Sequence, residues 1–162
     1  MRESMAQLTP RFSANRTVRE YTEQRYLPAA AVYRARVADN GAPGRQLVDW
    51  QHALEQKWAM LHFGDVKVET VEQQHVFEVQ VYLGDVDPDS VRVELYADGI
   101  NGEGLVRQEM KRVRQLVGAA NGYAYSARVT ATRAAGDYTA RVIPHCSGVS
   151  VPLEAAHILW QR

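Results

Sequence analysis

Asp85, Asp87 and Asp89 stand at alternate positions of one short segment, which is how a calcium loop begins, because a hard cation needs several oxygens converging from a tight turn. The remaining ligands do not follow. Ser90 stands where such a loop places its glycine and Tyr96 where it places its bidentate glutamate, and Pro88 suits an ordinary turn between strands. Zinc chemistry would need the histidines His52, His62, His75, His145 and His157 to gather, with Cys146, at short spacings. None of them lies two, three or four residues from another. Adjacent His145 and Cys146 would face opposite sides of a strand. Apart from His145 on the opposite face, Cys146 has no neighbouring basic group or helix start to make it a nucleophile, and its apolar, alternating surroundings suggest a buried thiol. Gly99, Gly102 and Gly104 follow a strand pattern, but their spacing is not that of a dinucleotide loop and they open no helix.

Arg107, Lys111, Arg112 and Arg114 concentrate charge in one run that could meet phosphates. A solvated strand face with Val106, Met110 and Leu116 turned inward accounts for it more simply. Asn15-Arg16-Thr17 matches a glycosylation acceptor, but no secretory leader accompanies it. Two tyrosines are different. Tyr82 and Tyr96 fall on the faces opposite the Val/Leu rows of their strands, so they form a candidate glycan or docking surface.

Chemistry of this kind has to be positioned by a scaffold, and the totals describe one. The chain has 162 residues, nineteen basic and nineteen acidic side chains, and 46% hydrophobic content. That is a soluble globular composition, and the balanced charge offers no field for nucleic acid or an anionic membrane. No apolar run is long enough to span a bilayer, and the single cysteine cannot form an internal disulfide, so the expected address is cytoplasmic.

Residues 1–62 read as helix with a linker near 39–45. Ser13 can cap a helix in which Val18 and Tyr21 share a stripe, Arg16 and Glu20 stand four apart, and Pro28 marks a break or a new start. Past the linker, Leu47, Trp50, Leu54, Trp58 and Leu61 line one helical face. Cut away from a partner, Trp50 and Trp58 would either fold onto the rest of the chain or drive self-association.

From Phe63 the period changes to two. Rows led by Val66, Phe77, Val91, Tyr123 and Tyr138 alternate with polar residues and are separated by turn signals such as Asn121-Gly122. This predicts an α+β chain: short N-terminal helices, then an antiparallel immunoglobulin-like β-sandwich of about seven strands over 63–162.

The run Phe12-Ser13-Ala14-Asn15-Arg16-Thr17-Val18-Arg19-Glu20-Tyr21 resembles the Phe-Ser-Ser-Asp-Arg-Thr-Ile motif near the C-terminus of glycogen and maltodextrin phosphorylases. The departures are Ala14 and Asn15. The YLPAA at 26–30 and the ending VPLEAAHILWQR are similar to the bacterial and archaeal branch of α-glucan phosphorylases, which carries an extra C-terminal β region. The resemblance implies a parent enzyme that is a pyridoxal-phosphate-dependent glycosyltransferase, cleaving α-1,4-glucans with phosphate to glucose 1-phosphate. It also implies that the Gly-Thr-Gly-Asn-Met-Lys-type segment bearing the cofactor lysine lies upstream of this chain. No catalytic, cofactor or metal residue carries over, and the chain alone is expected to be inactive. Met1 is then an internal methionine or an artificial start. The expected partners are the remainder of the parent enzyme, an α-glucan, and a second copy through self-association. The alternative expectation is a free-standing carbohydrate-binding or protein-interaction module that uses Tyr82, Tyr96 and the loop 98–104.

Overall fold

The computed structural model describes residues 13–99 and 104–162; most of the Phe-Ser motif lies within them, but Phe12 and the 100–103 part of the glycine-containing loop do not. The chain divides between Asp49 and Trp50 into two units.

In the first unit, the Ser13 side chain accepts from the Arg16 amide at 3.3 Å and starts α1, Ala14–Tyr21. This satisfies one of the free N–H groups that every helix start exposes. Arg16 Nε and Glu20 Oε1 are 2.8 Å apart one turn on. A π turn, Thr22–Tyr26, leads into α2, Leu27–Lys57. Pro28 cannot donate to the ladder, and the wider turn just before it takes up the misfit, so the chain bulges there and continues as helix. The expected linker is a break inside α2. Ala38 is extended, and Asp39, Asn40 and Gly41 have φ of 50°, 55° and 79°, a left-handed run that Asp, Asn and Gly tolerate better than other residues. Helix resumes sooner than the composition suggests because Pro43 has its φ already fixed near the helical value and stands in the new first turn.

The second unit begins with the end of α2 and a short 3-10 turn at Trp58–Met60. It continues as β1 (His62–Val71), β2 (Gln74–Tyr82), β3 (Val91–Ala97), β4 (Val106–Glu109), β5 (Lys111–Gln115), β6 (Gly122–Thr130), β7 (Thr139–Pro144) and β8 (Leu159–Trp160). These form two four-stranded antiparallel sheets, ordered β1-β2-β6-β5 and β4-β3-β7-β8. The described residues therefore hold eight strands where the alternation suggested about seven. The difference arises at Met110: β4 belongs to one sheet and β5 to the other, and the buried Met110 between them donates its amide to the Val93 carbonyl at 2.8 Å. One continuous alternating row thus turns a corner from sheet to sheet.

Both sheets contribute to one core. Phe77, Val79 and Val81 of β2 and Tyr125, Ala127 and Val129 of β6 pack in one cluster with Val91, Val93 and Leu95 of β3 and Ala140 and Val142 of β7. The predicted apolar rows led by Phe77, Val91, Tyr123 and Tyr138 supply these inward faces, whereas the row led by Val66 on β1 stays largely exposed. Leu54 and Leu61 are buried in the same cluster, and Trp50 and Trp58 pack against it partly buried. The helical stripe from Trp50 onward therefore folds onto the sheets, which is the first of the two outcomes expected for it. This removes those tryptophans from water as a sticky surface.

Candidate functional site

On the outer face of the β4-β3-β7-β8 sheet, cross-strand register sets Glu94 opposite Arg141 and Tyr96 opposite Thr139. Arg141 donates to Glu94 Oε2 through Nη2 at 2.8 Å and through Nε at 3.1 Å. Its guanidinium carbon lies 4.7 Å from the Tyr96 ring centre and 5.3 Å from that of Trp160. The two rings meet edge to face at 5.4 Å. Tyr96 Oη donates to Asp98 Oδ1 at 2.8 Å, and this bond to a carboxylate raises the Tyr96 pKa above the ordinary tyrosine value, with partial burial adding to it. Beside the cluster runs an open groove of about 580 Å³, bordered by Arg92, Arg107, His145 and Cys146 among others. The arrangement can accept a polar ligand with a flat face.

Tyr82 sits on the outer face of the other sheet, so the structure does not bring the two predicted tyrosines together. Its ring stacks on His62 at 4.8 Å with 9° between planes. Gly64 and Gly122 crowd it: a Cβ on Gly64 would lie 2.8 Å from Tyr82 Cε2, and one on Gly122 would lie 3.0 Å from Cδ1. Both tyrosines are half-buried, covered by neighbours that the alternating pattern could not reveal. Around Tyr96 these are Arg141, Trp160 and Asp98. The only hint in the sequence was that Glu94 and Arg141 each occupy an outward position on a strand.

The other candidates have structural positions. Asp87 Oδ1 accepts the Asp89 amide at 2.9 Å and caps the 3-10 turn Pro88–Ser90, while Asp89 pairs with Arg112 at 3.2 Å. His75 is buried, with Nδ1 2.8 Å from Thr70 Oγ1 and Nε2 2.9 Å from the Arg133 carbonyl. His157 packs on Trp58 at 5.2 Å, and Arg92 donates to His145 Nδ1 at 3.2 Å. Cys146 is half-buried in a loop after β7 has ended at Pro144, so neither full burial nor strand alternation applies to it. The basic run is divided between two sheets, with Arg107 on β4 and Lys111, Arg112 and Arg114 on β5; Arg114 pairs with Glu78 at 2.8 Å, Arg112 lies over Tyr123, and Met110 and Leu116 are buried.

The three lysines all lie in the second unit. Lys67 and Lys111 lie on exposed strand positions. Lys57 borders a cleft of about 130 Å³ that it shares with Trp50, Leu54 and Val86 and with the carboxylates of Asp85 and Asp87.

The fold and these surfaces define an antiparallel two-sheet domain with an aromatic cluster on the outer face of each sheet. The chain belongs to the glycogen phosphorylase C-terminal domain family, whose pattern matches residues 58–162. Among similar proteins, a maltodextrin phosphorylase from Thermococcus litoralis is 28% identical over 156 residues, 90% of this chain and 18% of that protein. Glycogen phosphorylase from Mycobacterium tuberculosis is 25% identical over 153 residues, 89% of this chain and again 18% of that protein, and the Mycobacterium bovis protein gives the same values. The chain therefore spans less than a fifth of the length of these relatives.

Proposed function

We propose that this chain is the non-catalytic C-terminal accessory region of an α-glucan phosphorylase, whose whole enzyme cleaves α-1,4-glucans with phosphate to glucose 1-phosphate in the cytoplasm. The observation that carries this reading is that the likeness to phosphorylases covers helices and sheets alike, about 90% of the chain. In it, pyridoxal phosphate is held entirely by the missing catalytic lobes, and the sheets act as an immunoglobulin-like sandwich beside them. The first unit supports the same view. Val18, Tyr21, Tyr26, Leu27 and Tyr33 are each more than half exposed, so these helices display the apolar side chains with which a helix ordinarily packs on a partner. The partner in this reading is the rest of the catalytic lobe. The test is the coding sequence in frame before codon 1: a phosphorylase frame with a Gly-Thr-Gly-Asn-Met-Lys-type segment supports the proposal, and an independent start signal with no such frame contradicts it.

A second reading, α-glucan binding by the chain itself, is favoured by one observation, the aromatic cluster of Tyr96 and Trp160 beside an open groove. Sugar rings stack on such faces. Retardation on an amylose gel, lost in Trp160→Ala, supports it; unchanged migration with and without glucan contradicts it.

A further inference from the structure

Antiparallel sheets that are not closed leave edges, and natural domains blunt them with short strands, charge or bulges. Three of the four edges here are blunted. β8 has two residues and β4 four, and β5 has five, of which Lys111, Arg112 and Arg114 are basic, with a bulge between Arg112 and Arg114. The fourth, β1, runs for ten residues. Its pairing to β2 is irregular between Phe63 and Val66 but unbroken from Val66 to Val71. It contains no proline, and among the described residues it is paired on one side only. Val66, Val68 and Val71 are 37%, 41% and 53% exposed. Val66 and Val68 also form the lip of a groove of about 330 Å³ that opens onto the core residues Phe77, Val79, Leu95 and Ala140.

The charges along β1 say what fits this edge. Directly opposed residues of an antiparallel pair lie on the same face, so a second copy of β1 can add on only in registers that keep Val66, Val68 and Thr70 on the core side. A two-fold axis at Lys67 would set Lys67 against its own copy and Asp65 against Glu69, and an axis at Glu69 would set Glu69 against Glu69. An axis at Val68 sets Lys67 against Glu69 twice, Val66 against Thr70 twice, and Val68 on Val68, all within the regular stretch. We propose that the free edge of β1 pairs with the same edge of a second copy, antiparallel and centred on Val68, to join two four-stranded sheets into one of eight strands. Such an interface is isologous and closes on itself, giving a dimer. It is independent of whether the chain serves a phosphorylase.

The test is the mass of the full chain in solution across a concentration series, by sedimentation or light scattering. Wild type forms a dimer, and Val68→Lys, which sets two ammonium groups at the axis, is monomeric at the same concentrations. Lys67→Glu and Glu69→Lys each weaken the dimer at least about tenfold, because two attractive cross-strand pairs become repulsive, and the Lys67→Glu/Glu69→Lys double variant restores it. The charge variants are on the solvent face, so they report even where Val68→Lys fails to fold. A wild type that stays monomeric overturns the proposal. So does an assembly that survives Val68→Lys, or a double variant no better than the single ones. Loss of association in Leu27→Glu with the β1 variants unaffected would move the contact to the helices and overturn it equally.

Discussion

Arg141 and Glu94 form a buried ion pair across adjacent strands, 2.8 Å apart, with side chains 10% and 9% exposed. Charges withdrawn from water this far are stable only while paired, so removing one strands the other. Glu94→Ala is expected to cost about 3–5 kcal/mol in denaturant unfolding. Glu78→Ala breaks an ion pair of the same length, Arg114 to Glu78, but with side chains 51% and 31% exposed, and is expected to cost less than about 1 kcal/mol. Equal midpoints for the two variants would mean that burial does not set the strength of these pairs.

Tyr125 is buried, and its hydroxyl has no hydrogen-bond partner among the described protein groups. Burial pushes its pKa above the ordinary 10.0, with Arg112 pulling part of the way back. Above that value the unfolded chain releases the proton first, so it binds fewer protons than the native state and stability falls as pH rises. The contribution is intact below about pH 10 and is lost above it. Tyr125→Phe is therefore expected to leave stability at neutral pH unchanged or raised by up to about 1 kcal/mol, since it deletes an unsatisfied buried group. It should also flatten the alkaline decline. Urea titrations at neutral pH and above pH 10 compare the two proteins.

The hairpin joining β1 to β2 turns on Glu72 and Gln73, with φ of 48° and 63°. Both therefore hold left-handed backbone without being glycine, asparagine or aspartate, the residues that a two-residue turn of this kind prefers. Replacing the pair by Asn-Gly should raise stability by about 1 kcal/mol. Thermal unfolding checks the gain, and a loss would mean that the native side chains hold the turn by contacts of their own.

Gly122 gives room to Tyr82. A Cβ there would lie 2.9 Å from the Ala119 Cβ and 3.0 Å from Tyr82 Cδ1. Gly122→Ala should cost about 1–3 kcal/mol through overpacking and shift the Tyr82 ring off His62, visible as a change in the His62 ring proton resonances. Unchanged resonances with full stability would show that the sheet yields easily at this point.

Much of the fold is legible in local spacing because the signal is local. Ser13 caps where its hydroxyl predicts, the break falls among Asp39, Asn40 and Gly41, and the rows of β2, β3, β6 and β7 face inward as their alternation requires. What is hidden depends on the partner strand. Alternation runs straight through Met110 and cannot say that the chain changes sheets there. The turn at Glu72 and Gln73 carries no turn composition, and β8 is too short to show a period. The surroundings of Tyr96 were equally hidden: Arg141 and Trp160 are distant in sequence and become neighbours only once β3, β7 and β8 are in register. Tyr82 and Tyr96 were identifiable as outward residues, but not as residues on opposite sheets.

In the proposed role, the chemistry of glucan cleavage belongs to polypeptide outside these 162 residues. The direct measurement is release of glucose 1-phosphate from maltodextrin and inorganic phosphate by the purified chain supplied with pyridoxal phosphate, beside an intact glycogen phosphorylase under the same conditions. The expected result is product from the intact enzyme and none from the chain, whose absorption spectrum also shows no bound cofactor. Turnover by the chain alone would contradict the account.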